Sequence, residues 1–169
     1  MFRKYIVYGC FVCLLIATCF LPAGTAFAQS DEVAWAVRCE EDEQGNAAHC
    51  EMFTRLNLKD TDTRLVEFAL GYPKEGDQVA RGIIIVPLGI LLQEDVVLSV
   101  DEEEKLRARP RYCSENGCYV YVTLPESLVS AMKRGNEASL MFRAANGRPV
   151  AVKVSLAGFT KTTRTLQNK

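Results

Sequence analysis

The chain has 169 residues, 49% hydrophobic and 24% charged, with a formal net charge of −1, the balance of one ordinary globular domain. Its 20 Lys plus Arg against 21 Asp plus Glu leave no basic excess for displacing phosphate counterions, which argues against nucleic acid as a partner. A single His, His49, leaves little material for a His-based catalytic or metal site.

Residues 1–28 read as a secretory signal peptide. Arg3 and Lys4 precede an apolar run from Tyr5 to Leu21, and Ala26-Phe27-Ala28 forms a small-x-small cleavage site before Gln29. The apolar run sits at the short edge of what spans a hydrocarbon core, so an uncleaved anchor is the alternative. Lipid attachment at Cys19 fits poorly with Ile16-Ala17-Thr18 before it. Cleavage removes two positive charges and no acid, leaving residues 29–169 as one slightly acidic domain with no later apolar stretch of transmembrane length.

Cys39, Cys50, Cys113 and Cys118 remain after cleavage. Four Cys in an exported chain read as two disulfides with three open connectivities. The local choice, Cys39 with Cys50 and Cys113 with Cys118, would staple turns containing Gly45-Asn46 and Asn116-Gly117. Zinc ligation is disfavoured because it needs pairs spaced about two to four apart, and only Cys113 and Cys118, with four residues between them, come near that. A redox dithiol is disfavoured because Cys118 opens a strand-like run rather than a helix.

Period-2 alternation dominates the exported part of the chain. Met52, Thr54, Leu56 and Leu58 face one way, opposite Glu51, Phe53, Arg55 and Asn57. Val66, Phe68 and Leu70 repeat the pattern, then Gly82 to Val86 reads as a buried strand that Pro87 ends. Val96, Leu98 and Val100 form another, and Asp101 to Glu104 reads as a solvated acidic turn. Tyr119 to Leu124 is β-branched and aromatic enough on both faces for an interior strand. Pro125 to Gly135 has Pro and an acid at its start and basic residues with Gly at its end, the polarity of a short helix whose Leu128 and Met132 pack down. Ala138, Leu140 and Phe142 give way to Ala145-Asn146-Gly147-Arg148, and Val150, Val152, Val154 and Leu156 follow; Asn-Gly between two alternating runs is a strong hairpin signal. The tail after Gly158-Phe159 has room for a helical turn or two, but its four Thr argue against a long one. About eight short strands and one short helix predict an all-β, disulfide-stapled sandwich.

In order and spacing, Trp35-x-x-x-Cys39, Pro87-Leu88-Gly89-Ile90, Val100-Asp101, Arg111-Tyr112-Cys113, Gly117-Cys118 and Ser155-Leu156-x-Gly158-Phe159 resemble the invasion-associated locus B family of exported bacterial proteins. The resemblance runs from Trp35 to Phe159. It implies an immunoglobulin-like β-sandwich in the Gram-negative envelope, periplasmic, surface-exposed or secreted, in a family named for entry into host cells. It carries across no catalytic residues or cofactor. The matching positions look structural: Trp35 as a core aromatic, the four Cys as bridges, and Gly89 as a position suited to positive φ. Gln93-Glu94-Asp95 and Glu102-Glu103-Glu104 depart from the family pattern.

No nucleophile elbow, phosphate-binding loop or His-Glu-x-x-His is present. The acidic stretch Glu40 to Glu43 lacks the alternating oxygen ligands of a Ca²⁺ loop. Arg107, Arg109 and Arg111 have strand spacing and stand beside Tyr112, a row of guanidinium forks able to bind an acidic partner or surface polyanion. The competing reading is that Asp101 to Glu104 balance the row and that it protects an edge strand from aggregation. The leading expectation is a non-enzymatic binding protein with no cofactor or metal, whose partner is a protein or envelope component. The alternative is a periplasmic housekeeping factor, such as an inhibitor of a cell-wall hydrolase or an envelope-stress protein.

Overall fold

A computed structural model describes residues 35–168 apart from 42, 46, 60 and 74–78. The expected signal peptide lies outside the described residues. Among the described residues, ten strands and two helices follow one another as β1 (Ala36–Glu41), β2 (Ala47–Asn57), β3 (Arg64–Gly71), β4 (Ala80–Val86), β5 (Val96–Val100), β6 (Glu103–Ala108), β7 (Tyr112–Ser114), β8 (Gly117–Leu124), α1 (Glu126–Arg134), β9 (Glu137–Arg143), β10 (Pro149–Ser155) and α2 (Phe159–Gln167).

Every strand pairing is antiparallel. A six-stranded sheet runs β1-β2-β3-β4-β8-β7 and a four-stranded sheet runs β10-β9-β5-β6. The period-2 pattern explains the layering. Met52, Phe68, Ile84 and Val120 from the larger sheet join Leu98, Leu140 and Val154 from the smaller in one buried cluster. The molecule therefore has the expected sandwich architecture, with its own strand order.

Both local disulfides form. Cys39 stands directly opposite Cys50, and Cys113 opposite Cys118, so each bridge crosses one rung of its hairpin. Gly89 takes a φ of +80°. The Asn146-Gly147 hairpin joins β9 and β10, with Gly147 donating to the Ala144 carbonyl at 2.8 Å.

The acidic stretch resolves into two parts. Val100 pairs with Glu103, so Asp101 and Glu102 form a two-residue hairpin loop, with φ of 47° and 69°. Two consecutive left-handed residues are the mark of a tight primed turn, which matches the twist of the flanking strands. The Asp101 carboxylate also accepts from the backbone N–H groups of Asn136 and Glu137, each at 3.1 Å, and so ties the turn to the link between α1 and β9.

Helix α2 is longer than its Thr content suggests, because packing overrides propensity. Phe159, Thr163 and Leu166 are buried. Trp35 meets both Phe68 and Phe159 edge to face, with centroids 5.7 and 4.9 Å apart, and its indole N–H donates to the Ser155 carbonyl at 2.9 Å. The Thr163 hydroxyl is satisfied within the helix by the Phe159 carbonyl at 2.8 Å. Among the described residues, no helix is long and apolar enough to cross a membrane.

Candidate binding surface

The inner residues of the six-stranded sheet fill the core, and the alternate residues form its outer face. Antiparallel register sets that face in rows. One row runs Phe53, Ala69, Ile83, Tyr121, and the next runs Arg55, Glu67, Ile85, Tyr119, Tyr112. An outer face that merely meets water alternates to polar residues. This one keeps Ile83, Ile85, Phe53 and Tyr119 half-buried and leaves Tyr112 47% and Tyr121 44% exposed.

Glu67 lies in this outer face, yet its side chain is only 2% exposed. Three arginines cover it: Arg38 reaches Oε1 at 2.9 Å, and Arg55 and Arg64 reach Oε2 at 2.7 and 3.2 Å. Burial pushes the Glu67 carboxyl upward, but hydrogen bonds and charge from Arg55 and Arg38 outweigh it and hold the group below its ordinary value. Arg38 also pairs with Glu51 and lies 4.5 Å above the Phe53 ring, a cation–π contact that holds the guanidinium against the sheet. Arg64 reaches farther, donating to the Asn116 carbonyl at the β7–β8 turn.

At the other end, Tyr112 and Tyr119 stack with centroids 4.8 Å apart and planes 13° apart. The Tyr112 and Tyr121 hydroxyls stand 3.5 Å apart, and that contact is the main cause raising the Tyr112 phenol above its ordinary value. The Arg111 guanidinium sits 5.7 Å from the Tyr121 ring centre.

The structure divides the arginine row. Arg107, in β6, makes a two-pronged contact with Glu104 at 2.6 Å. Arg109 meets Asp95 at 3.2 Å, beside a recess of about 170 Å³ lined also by Met141 and Arg143. Pro110 follows, and the Arg111 backbone N–H donates to Tyr119 at 2.8 Å, so the chain passes here from one sheet to the other. Arg111 and Tyr112 therefore stay together on the aromatic face, while Arg107 belongs to the smaller sheet and Arg109 follows the end of its strand β6. Sequence reasoning passed over Arg38, Phe53, Arg55, Glu67, Ile83 and Ile85. The available signal was Phe53 between two charged residues on the supposedly wet face of β2, together with the unbroken apolar run of β4.

The model of the family described as invasion-associated locus B (IalB) protein matches residues 35–167, which covers both sheets and both helices. The chain is 27% identical over 150 residues to Invasion protein B of Bartonella bacilliformis, covering 86% of this chain and 78% of that protein. The crystal structure of invasion associated protein B from Bartonella henselae superposes with a TM-score of 0.70 at 26% identity, covering 81% of this chain and 92% of that one. With its two bridges, its sheet order and a family match along nearly all the described residues, this chain belongs to the invasion-associated locus B family.

Proposed function

We propose that the protein is exported and acts without catalysis, as a binding protein of the envelope or of the secreted fraction, and that it binds through the outer face of the six-stranded sheet. The observation that carries this reading is the exposed Tyr112–Tyr121 pair set among half-buried Ile83, Ile85 and Phe53. Tyrosine, phenylalanine and arginine are the side chains that protein interfaces favour, and a sheet presents them without the cost of ordering a loop. Two disulfides suit an oxidising compartment and so support export. The side chains that could do chemistry here are phenols and paired guanidinium groups, which suits recognition better than turnover. The relatives' names, Invasion protein B and invasion associated protein B, make contact with a host cell the natural setting.

Two measurements test this. Protease treatment of intact producing cells, with a lysed control and a periplasmic marker, would digest a surface-exposed form. Protection until lysis would turn the search toward cell-wall enzymes and other envelope proteins, the housekeeping alternative. A photo-crosslinking residue in place of Tyr121 should capture a discrete partner that the same probe at Met141, on the smaller sheet, does not. Equal capture from both positions would refute the assignment of the face.

A further inference from the structure

We infer that the Tyr112–Tyr121 end of this face recognises an acidic protein segment, one that sets carboxylates against Arg111 and Arg81 and aliphatic side chains against Ile83 and Ile85. The inference rests on the binding-surface reading and specifies its partner.

The charges on the face are unequally committed. Arg38, Arg55 and Arg64 all converge on Glu67, and Arg38 also pairs with Glu51, so each has a carboxylate partner within the fold and two of their three charges are answered. Among the described residues, no carboxylate pairs with Arg81 or Arg111. Arg81 pairs in register with Thr123, two residues along β8 from Tyr121, and is exposed. Arg111 rests over Tyr121 itself. Both unanswered cations therefore flank the most exposed aromatic pair.

The phenols add donors. Because Tyr112 stacks on Tyr119, one face of each ring is covered by the other, and the Tyr112 and Tyr121 hydroxyls meet beside the stack. The raised phenol of Tyr112 stays protonated near neutral pH and can donate. Guanidinium groups and phenol O–H groups together call for an anionic, acceptor-rich partner.

Two kinds of polyanion meet that description, and the apolar row decides between them. A sugar ring stacks on an open aromatic face, and here one face of Tyr112 and one of Tyr119 are closed on each other and one face of Tyr121 carries Arg111, which leaves fewer faces to stack on. A sulfated or uronate glycan also has no aliphatic side chains with which to dehydrate Ile83 and Ile85. A peptide carrying Asp or Glu beside Leu, Ile or Val can do both, and Tyr and Arg are the usual centres of such contacts.

The test is selection of a random peptide library displayed on phage against the protein purified from its producing cells. Binding of the selected peptides is then measured to wild type, Arg111→Ala, Tyr121→Ala, Tyr112→Phe and Arg107→Ala, with each fold checked by circular dichroism. The selected peptides should be rich in Asp and Glu next to aliphatic residues. Arg111→Ala should weaken binding about tenfold, or ~1.4 kcal/mol, and Arg107→Ala should leave it unchanged. Peptides that lack acidic residues but are lost with Tyr121→Ala would overturn the acidic partner and spare the surface reading. Peptides indifferent to both Arg111 and Tyr121, or no enrichment over an Arg111→Glu/Tyr121→Asp control, would overturn both. A heparin fragment that binds at least as tightly as the peptides and is lost with Arg111→Ala would make the occupant a glycan and overturn the protein segment.

Discussion

The Glu67 carboxylate accepts a hydrogen bond from Arg55 Nε at 2.8 Å on a sheet face that is turned to solvent, and it is the one ionisable side chain buried among the described residues. A carboxylate sealed there costs desolvation, and the converging guanidinium groups offset it. The arrangement is a clamp across three strands, since Arg38 belongs to β1, Arg55 to β2, and Arg64 with Glu67 to β3.

The clamp makes stability pH-dependent with a definite sign. Because the folded state holds Glu67 below its ordinary value of 4.5, its contribution is complete above that pH and is lost as pH falls through the lower folded value. Denaturant titrations from pH 7 downward should show wild type losing stability below about 4.5. Glu67→Gln should begin about 1–3 kcal/mol less stable at pH 7 and lose less on acidification. Parallel acid limbs for the two proteins would show that the clamp is energetically silent.

The β5–β6 turn separates two effects that share a loop. Asp101→Ala removes the acceptor for two backbone N–H groups and should cost about 1–2 kcal/mol. Glu102 holds positive φ with a Cβ that disfavours it, so Glu102→Gly should be neutral or stabilising by up to about 1 kcal/mol. Thermal melts of the two variants should move in opposite directions or differ by several degrees.

Each disulfide constrains a short loop in the unfolded chain. The Cys39–Cys50 bridge, with a sequence separation of 11, should contribute about 3 kcal/mol, and Cys113–Cys118, with a separation of 5, about 2. Paired Cys→Ala variants, compared with wild type in guanidinium, should lower the midpoint in that order. Equal melting of reduced and oxidised wild type would show that the bridges add nothing.

Thr54 points its hydroxyl into the core, where Oγ1 is buried and has no hydrogen-bond partner. Replacing an unmet polar atom with a methyl of the same shape removes a desolvation cost. Thr54→Val should therefore raise stability by about 1 kcal/mol, read as a higher denaturant midpoint with an unchanged slope.

Local rules account for the elements that were legible in the sequence. Asn146-Gly147 names its own turn, Pro125 and Gly135 bracket α1 with Leu128 and Met132 buried, and the Cys spacings allow the bridges that form. The rest depends on neighbours remote in sequence. Four Thr argue against α2 until Trp35 and Met52 supply the surface it covers. Glu67 sits in a run from Val66 to Leu70 with only Arg64 nearby to mark it as a hub, because its other two partners come from β1 and β2. Arg107, Arg109 and Arg111 share a spacing that implies one face, and only the passage of the chain between sheets at Pro110 parts them.

Trp35 and Ser155 are 120 positions apart, and the Thr162 hydroxyl donates to the Trp35 carbonyl across 127. Contacts of that span are entropically the costliest to close and the slowest to find. A chain synthesised only as far as β10 lacks Phe159 and Thr163 and so leaves Trp35 and Met52 without that cover. The core is closed by a helix more than 120 positions downstream of Trp35, so a chain that stops after β10 should be cut by protease where the chain that includes α2 resists.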